Sequence, residues 1–182
     1  MTGPTMWFED FVVGDVLPLG EKTVTADEVI AFARDYHPSP MHLDNASAKA
    51  AFHARHEIDA PGRPPIELLM PIEGLVASPW HVGAMFMRTF YDGLLVRSSS
   101  RGSPAIETLE WPNPVKPGDL LRFSLEVMEI RPSRSRPDLG LVLFDSLGAN
   151  QFGDPVMLAR SWTMFGRRPA AGATNEVGDA VV

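Results

Sequence analysis

The chain has 182 residues, 45% of them hydrophobic and 21% charged, a balance that fits one globular domain with a sizeable core. Its net charge of −7 and the lack of any basic block speak against nucleic acid as a partner, because phosphate binding needs clustered Lys and Arg. There is no cysteine, which excludes disulfides, thiolate catalysis and cysteine-ligated zinc.

The first residues, M-T-G-P-T-M-W-F-E-D, lack a charged stretch followed by an apolar run, so no signal peptide is expected. No apolar run approaches the roughly 20 residues of a membrane helix. A soluble, cytoplasmic protein with no membrane partner is the expectation. Phe8, Phe11, Val13 and Val16 predict an N-terminal extended segment closed by Gly14-Asp15 and Pro18. Thr25-Ala26-Asp27-Glu28 has the form of a capping box, and the helix it opens runs to about Asp35. A second short helix is expected over Ala46–Arg55, capped by Asn45. Residues Ala60–Glu73 combine four prolines with Ile66, Leu68, Leu69 and Met70, the composition of an insertion folded over a pocket or an interface.

Ser78-Pro79 sets a capping residue before a proline suited to the first helical position. Val82, Met85, Phe86, Thr89 and Phe90 then recur at helical spacing and predict a buried central helix. After Gly102 the period changes, and Ile106–Trp111, Leu120–Ile130, Gly140–Leu147 and Val156–Phe165 read as strands. Pro117-Gly118-Asp119 and Phe152-Gly153-Asp154-Pro155 are turn signals. Arg131–Asp138 reads as a polar, basic hairpin loop exposed to solvent, and Pro169–Val182 as a disordered tail. Helices gathered ahead of a run of strands argue for an α+β fold, with a curved antiparallel sheet wrapped around one apolar helix. One domain spans residues 1–168. The exposed sheet edge that such a protomer leaves argues for a homodimer or a higher even oligomer.

The stretch Phe32–Asp44, F-A-R-D-Y-H-P-S-P-M-H-L-D, is where chemistry is expected. Pro38 and Pro40 stiffen a turn flanked by His37 and His42. A rigid loop holds imidazoles in place, and histidine is the side chain whose unperturbed pKa lies nearest neutrality. The alternative is a helix end with two surface histidines. His37, His42, His53, His56 and His81 are too scattered to suggest a metal site.

From Phe8 to Arg168 the chain resembles the MaoC-like dehydratases, or (R)-specific enoyl-CoA hydratases, whose fold is the hotdog. The markers are F-E-D-F-V-V-G-D, T-V-T-A-D-E-V-I-A-F-A-R-D-Y, P-x-P-x-H-L-D around His42, A-S-P-W-H at Ala77–His81, V-K-P-G-D at Val115–Asp119 and R-P-S-R-S-R-P-D. The resemblance implies a dimer with active sites at the subunit interface, an acyl-CoA substrate and reversible addition of water across the double bond of a trans-2-enoyl-CoA. No cofactor is implied, the CoA thioester being the substrate. The family's working pair is an Asp and a His five positions on. His42 matches the His, while His37 stands in the aspartate position. The family's glycine after serine, whose N–H binds the thioester oxygen, is here Pro79, which has no N–H. The apolar insertion around Ala60–Glu73 is a third departure.

Hydration needs a base for water, an acid for the α-carbon and a donor for the enolate oxygen. His42 and His37 are the expected acid–base pair, with Asp35 and Asp44 as candidates to orient them. Ser78, Trp80 and His81 are the expected substrate-binding residues, the Trp80 N–H or the His81 side chain replacing the lost donor; a buried structural role for His81 is the alternative. The competing functional readings are a catalytically weak hotdog that binds acyl-CoA or stabilises a partner subunit, and an acyl-CoA thioesterase.

Overall fold

The alternation Leu121, Phe123, Leu125, Val127 places four side chains on one face of a strand, and all four are buried. That strand, β3 (Leu120–Pro132), is joined by a hairpin to β4 (Leu139–Ala149), and β4 by a tight turn to β5 (Pro155–Gly166). With β1 (Val16–Thr23) and β2 (Ala105–Glu110) they form a five-stranded antiparallel sheet in the order β1-β3-β4-β5-β2. The structure, a computed structural model, describes residues 4–49 and 74–169. The expected proline-rich insertion, His53, His56, most of the expected second helix and the tail beyond Pro169 lie outside them.

The first helix, α1 (Ala26–Tyr36), opens with the capping box foreseen. Thr25 Oγ1 accepts from the Glu28 N–H at 3.3 Å and Glu28 Oε1 accepts from the Thr25 N–H at 2.9 Å. The second, α2 (Pro79–Gly93), begins at Ser78-Pro79 and buries Val82, Met85, Phe86 and Phe90 against the sheet. Aromatic pairs lock the two layers. Phe86 meets Phe123 at 5.8 Å, Phe90 meets Phe144 at 6.3 Å, and Phe11 bridges Phe144 and Phe165 at 5.7 and 4.5 Å between ring centroids. Each such pair adds about 0.5–1.5 kcal/mol beyond its area.

Two local expectations are corrected. Phe8–Asp10 is a 3-10 turn rather than the start of an extended segment, because Asp10 Oδ2 accepts the Trp7 N–H at 2.9 Å and curls the chain. The strand begins only at Val16 and runs through Pro18, which an edge strand with a bulge between Pro18 and Gly20 accommodates. The helical residues 45–49 are capped by Asp44, whose carboxylate accepts the Ser47 N–H at 2.8 Å, and not by Asn45. Asn45 Oδ1 instead accepts the Leu75 N–H at 2.7 Å, which ties this turn to the chain leading into α2.

Gly140 lies where the buried Phe8 ring crosses β4, and any Cβ there would overlap that ring. Gly140→Ala is expected to lower stability by about 1–3 kcal/mol. Urea unfolding should show a lower midpoint with an unchanged slope; an unaltered midpoint contradicts this close approach.

Candidate functional site

Residues Leu75–Ser78 are buried and enter α2 as an extended segment. Three backbone N–H groups along it have partners from other parts of the fold. Leu75 donates to Asn45 Oδ1, Val76 to the Met41 carbonyl at 3.3 Å and Ala77 to the Val115 carbonyl at 2.8 Å. The same segment holds both imidazoles of the proline-braced loop. The His42 Nδ1 lies 2.9 Å from the Val76 carbonyl oxygen, and the His37 Nδ1 lies 2.8 Å from the Ser78 Oγ.

These contacts define what each ring can do. A carbonyl oxygen only accepts, so His42 Nδ1 carries the hydrogen and Nε2 is the nitrogen that gains or loses a proton. A hydroxyl both donates and accepts, so Ser78 keeps hold of His37 whether Nδ1 is bare or protonated. His42 is 2% exposed and His37 half-buried, with ring centroids 4.7 Å apart and planes tilted by 55°. Both line a cleft of about 160 Å³ beside the start of α2. Its other walls are largely apolar and include Met41, Val82, Val115 and Val156.

The remaining expected site residues separate. Ser78 caps α2, its Oγ accepting the Trp80 N–H at 3.3 Å. The His81 and Val82 N–H groups donate to the Ser78 carbonyl at 2.9 and 3.1 Å. Every N–H of this first turn is therefore engaged within the cap. Trp80 is 60% exposed, and its ring meets Trp111 edge-on, with centroids 5.2 Å apart. His81 is not part of the cleft lining; its ring stacks on Phe32 at 4.7 Å. Asp35 is exposed, and Asp44 is occupied with its cap, so neither orients an imidazole in the cleft.

Two residues that sequence reasoning passed over also line the cleft, Trp111 and Asn113. Trp111 Nε1 and Asn113 Oδ1 are both buried with no hydrogen-bond partner. Leaving such a group unpaired costs about 1–3 kcal/mol. Both belong to W-P-N-P, where Pro112 and Pro114 bracket Asn113 as Pro38 and Pro40 bracket Ser39; that repetition of a braced turn was the available signal. Among the described residues, no group of three or more His, Cys, Asp or Glu side chains is gathered to hold a metal ion, and no helix is long and apolar enough to cross a membrane.

Among solved structures, the chain is similar to a MaoC-like dehydratase from Rhodospirillum rubrum, with 32% identity and a TM-score of 0.70 over 91% of this chain and 99% of that one. It is similar to an R-hydratase from Pseudomonas aeruginosa, at 19% identity and a TM-score of 0.61 over 95% and 97% of the two chains. A conserved hypothetical protein from Mycobacterium tuberculosis, described as a double hotdog fold, gives 17% identity and a TM-score of 0.68 over 94% of this chain and 47% of its own. The last two likenesses carry the fold alone. No family model matches the chain, and no curated protein matches it.

Burial pushes the His81 imidazole below its ordinary value; the Glu28 carboxylate opposes this and Lys22 reinforces it. The unfolded chain therefore binds a proton at this residue at pH values where the folded chain does not. Stability from this source is complete above about pH 6.5 and falls as the pH drops below it. His81→Phe, which keeps a ring against Phe32, should flatten the decline in thermal stability between pH 7.5 and 5.5. Parallel pH profiles for the variant and the parent would contradict a buried, neutral His81.

Proposed function

The chain belongs to the MaoC-like dehydratases and has the hotdog fold, and from that membership we infer that it is a hydro-lyase that adds water to, or removes it from, the C2–C3 bond of an acyl-CoA thioester. The observation that carries the reading is the pair His37 and His42, in one cleft, each anchored through Nδ1 to the buried segment that starts α2. Two anchored imidazoles supply an acid and a base near neutral pH without a carboxylate.

In the hydration direction, neutral His42 takes a proton from water as the oxygen bonds to C3 of the enoyl thioester. The electron pair of the double bond moves toward the thioester carbonyl, and protonated His37 delivers its proton to C2. The product is a 3-hydroxyacyl thioester. The site gains one proton at His42 and loses one at His37, and proton transfer between the rings or with solvent resets it. Dehydration is the same sequence reversed. The thioester is the substrate, and no cofactor takes part in this scheme.

One observation favours a second reading, an acyl-CoA-binding or partner-stabilising protein with little turnover. Pro79 offers no N–H, and the rest of the first turn of α2 is engaged, so the helix start supplies no donor to the enolate oxygen. Calorimetry that finds acyl-CoA binding without turnover would favour it. Free CoA released without a hydroxylated product would instead mark a thioesterase.

The decisive assay follows loss of enoyl absorbance from crotonyl-CoA and longer or branched enoyl-CoA esters. His42→Ala should reduce kcat/KM by about 100- to 10,000-fold with the fold retained by circular dichroism. Turnover unchanged by that substitution removes the proposed site.

We infer a homodimer as well. β2 ends the sheet, its outer edge has no strand partner among the described residues, and most of its side chains are exposed, Ile106 included. A second copy continuing the sheet would cover that edge. Light scattering should give twice the chain mass, and Ile106→Lys should shift it toward one; a single-chain mass for the parent contradicts the dimer.

A further inference from the structure

The free edge of the sheet runs straight into the cleft. β2 ends at Glu110, and the chain continues into Trp111, Asn113 and Pro114, which line it. At the opposite end of β2 the preceding chain keeps to the same edge. The Arg101 N–H donates to the Met164 carbonyl at 2.8 Å, and the Met164 N–H donates to the Gly102 carbonyl at 2.9 Å. Residues 101 and 102 are thus fastened to β5, as β2 itself is.

A two-fold axis at this edge fixes what a second copy brings. Antiparallel copies of β2 paired over their whole length set Ala105 opposite the partner's Glu110. The same register carries Arg101–Pro104 of one copy alongside Trp111–Pro114 of the other, at the rim of the other copy's cleft. Arg101 is exposed and has no ion pair among the described residues. The Asp138 carboxylate, which feels its charge, is already held by Arg136 at 3.0 and 2.8 Å. The basic hairpin lies at this same end of the sheet, since Leu139 pairs with Gly166 and Ser100 with Phe165. Its Arg134 is likewise exposed and without an ion pair among the described residues.

A chain of net charge −7 therefore sets uncommitted guanidinium groups toward its partner's cleft. An acyl-CoA carries a diphosphate and a 3′-phosphate, and the planar guanidinium fork matches phosphate oxygens. We propose that Arg101 binds a phosphate group of the acyl-CoA whose acyl chain occupies the partner subunit's cleft, with Arg134 adding to the positive field. Each site then takes His37 and His42 from one copy and its phosphate anchor from the other. The assignment rests on the hydro-lyase and homodimer readings above.

The test compares crotonyl-CoA with crotonyl-pantetheine, which has the same reacting atoms and no phosphate. Arg101→Ala should keep the doubled mass and raise KM for crotonyl-CoA about 10-fold, with kcat nearly unchanged. Its KM for crotonyl-pantetheine should stay within about twofold of the parent's. Heterodimers of an Arg101→Ala chain with a His42→Ala chain, purified through two different tags, then show which copy supplies the arginine. They contain one site with both residues intact, so they should show the parental KM for crotonyl-CoA and about half the parental kcat per dimer. A raised KM in the heterodimer places Arg101 in the same copy as His42 and overturns the assignment. So does an Arg101→Ala chain of single mass, which makes the residue an interface contact, such as one with the partner's Glu110. An equal rise in KM for both thioesters, or no rise for either, overturns the assignment and leaves the hydro-lyase reading intact. A parent of single mass overturns the homodimer reading and this assignment with it. A parent that hydrates no enoyl-CoA overturns the hydro-lyase reading alone; the Kd of butyryl-CoA against that of butyryl-pantetheine then decides Arg101 by the same comparison.

Discussion

The site depends on one short piece of buried backbone. Residues Leu75–Ser78 have no regular secondary structure of their own, so their polar groups need partners from elsewhere in the fold. Three donors go to Asn45, Met41 and Val115, which fixes the segment between the histidine loop and the approach to β3. The Val76 carbonyl and the Ser78 hydroxyl then face the imidazoles of His42 and His37. Ser78 also starts α2, so the position of the His37 ring and the start of the central helix are set by the same atom. Loosening this segment would move both rings together with the helix that forms the cleft wall.

That arrangement gives meaning to two of the chain's three departures from the pattern that the family resemblance implies. His37 stands where the resemblance implies an aspartate, and the Ser78 hydroxyl, able to donate or accept, holds its ring in either tautomer. A proline after the serine makes a tight cap but takes away a backbone donor. Both changes act on the same turn. The start of α2 is a closed structural cap, and Trp111 and Asn113, which line the cleft just before the turn that leads into β3, each keep a buried polar atom without a partner.

Most of the fold was legible because its signals are local. The Thr25–Glu28 capping box, the Ser78-Pro79 start and the alternation through β3 each specify an element within a few residues. The boundaries missed were those decided by side chains competing for backbone, as where Asp10 curls the chain ahead of β1 and Asp44 takes the cap assigned to Asn45. Half of the site was legible for a similar reason, since two prolines visibly brace His37 and His42. The Val76 carbonyl was not, because any residue type has a carbonyl, and its partner lies 34 positions away. Trp80 was expected as a donor from its place in the helix, yet its N–H is closed off by the cap that makes the helix start there.

The central claim is that this braced pair moves one proton to C2 and one hydroxyl to C3 of an acyl thioester. The most direct measurement is NMR of crotonyl-CoA and longer 2-enoyl-CoA esters incubated with the protein in D₂O. The account predicts 3-hydroxyacyl-CoA with one solvent deuteron at C2, at a rate that depends on His42. Unchanged enoyl-CoA with neither label, or free CoA with no C3 hydroxyl, would contradict it.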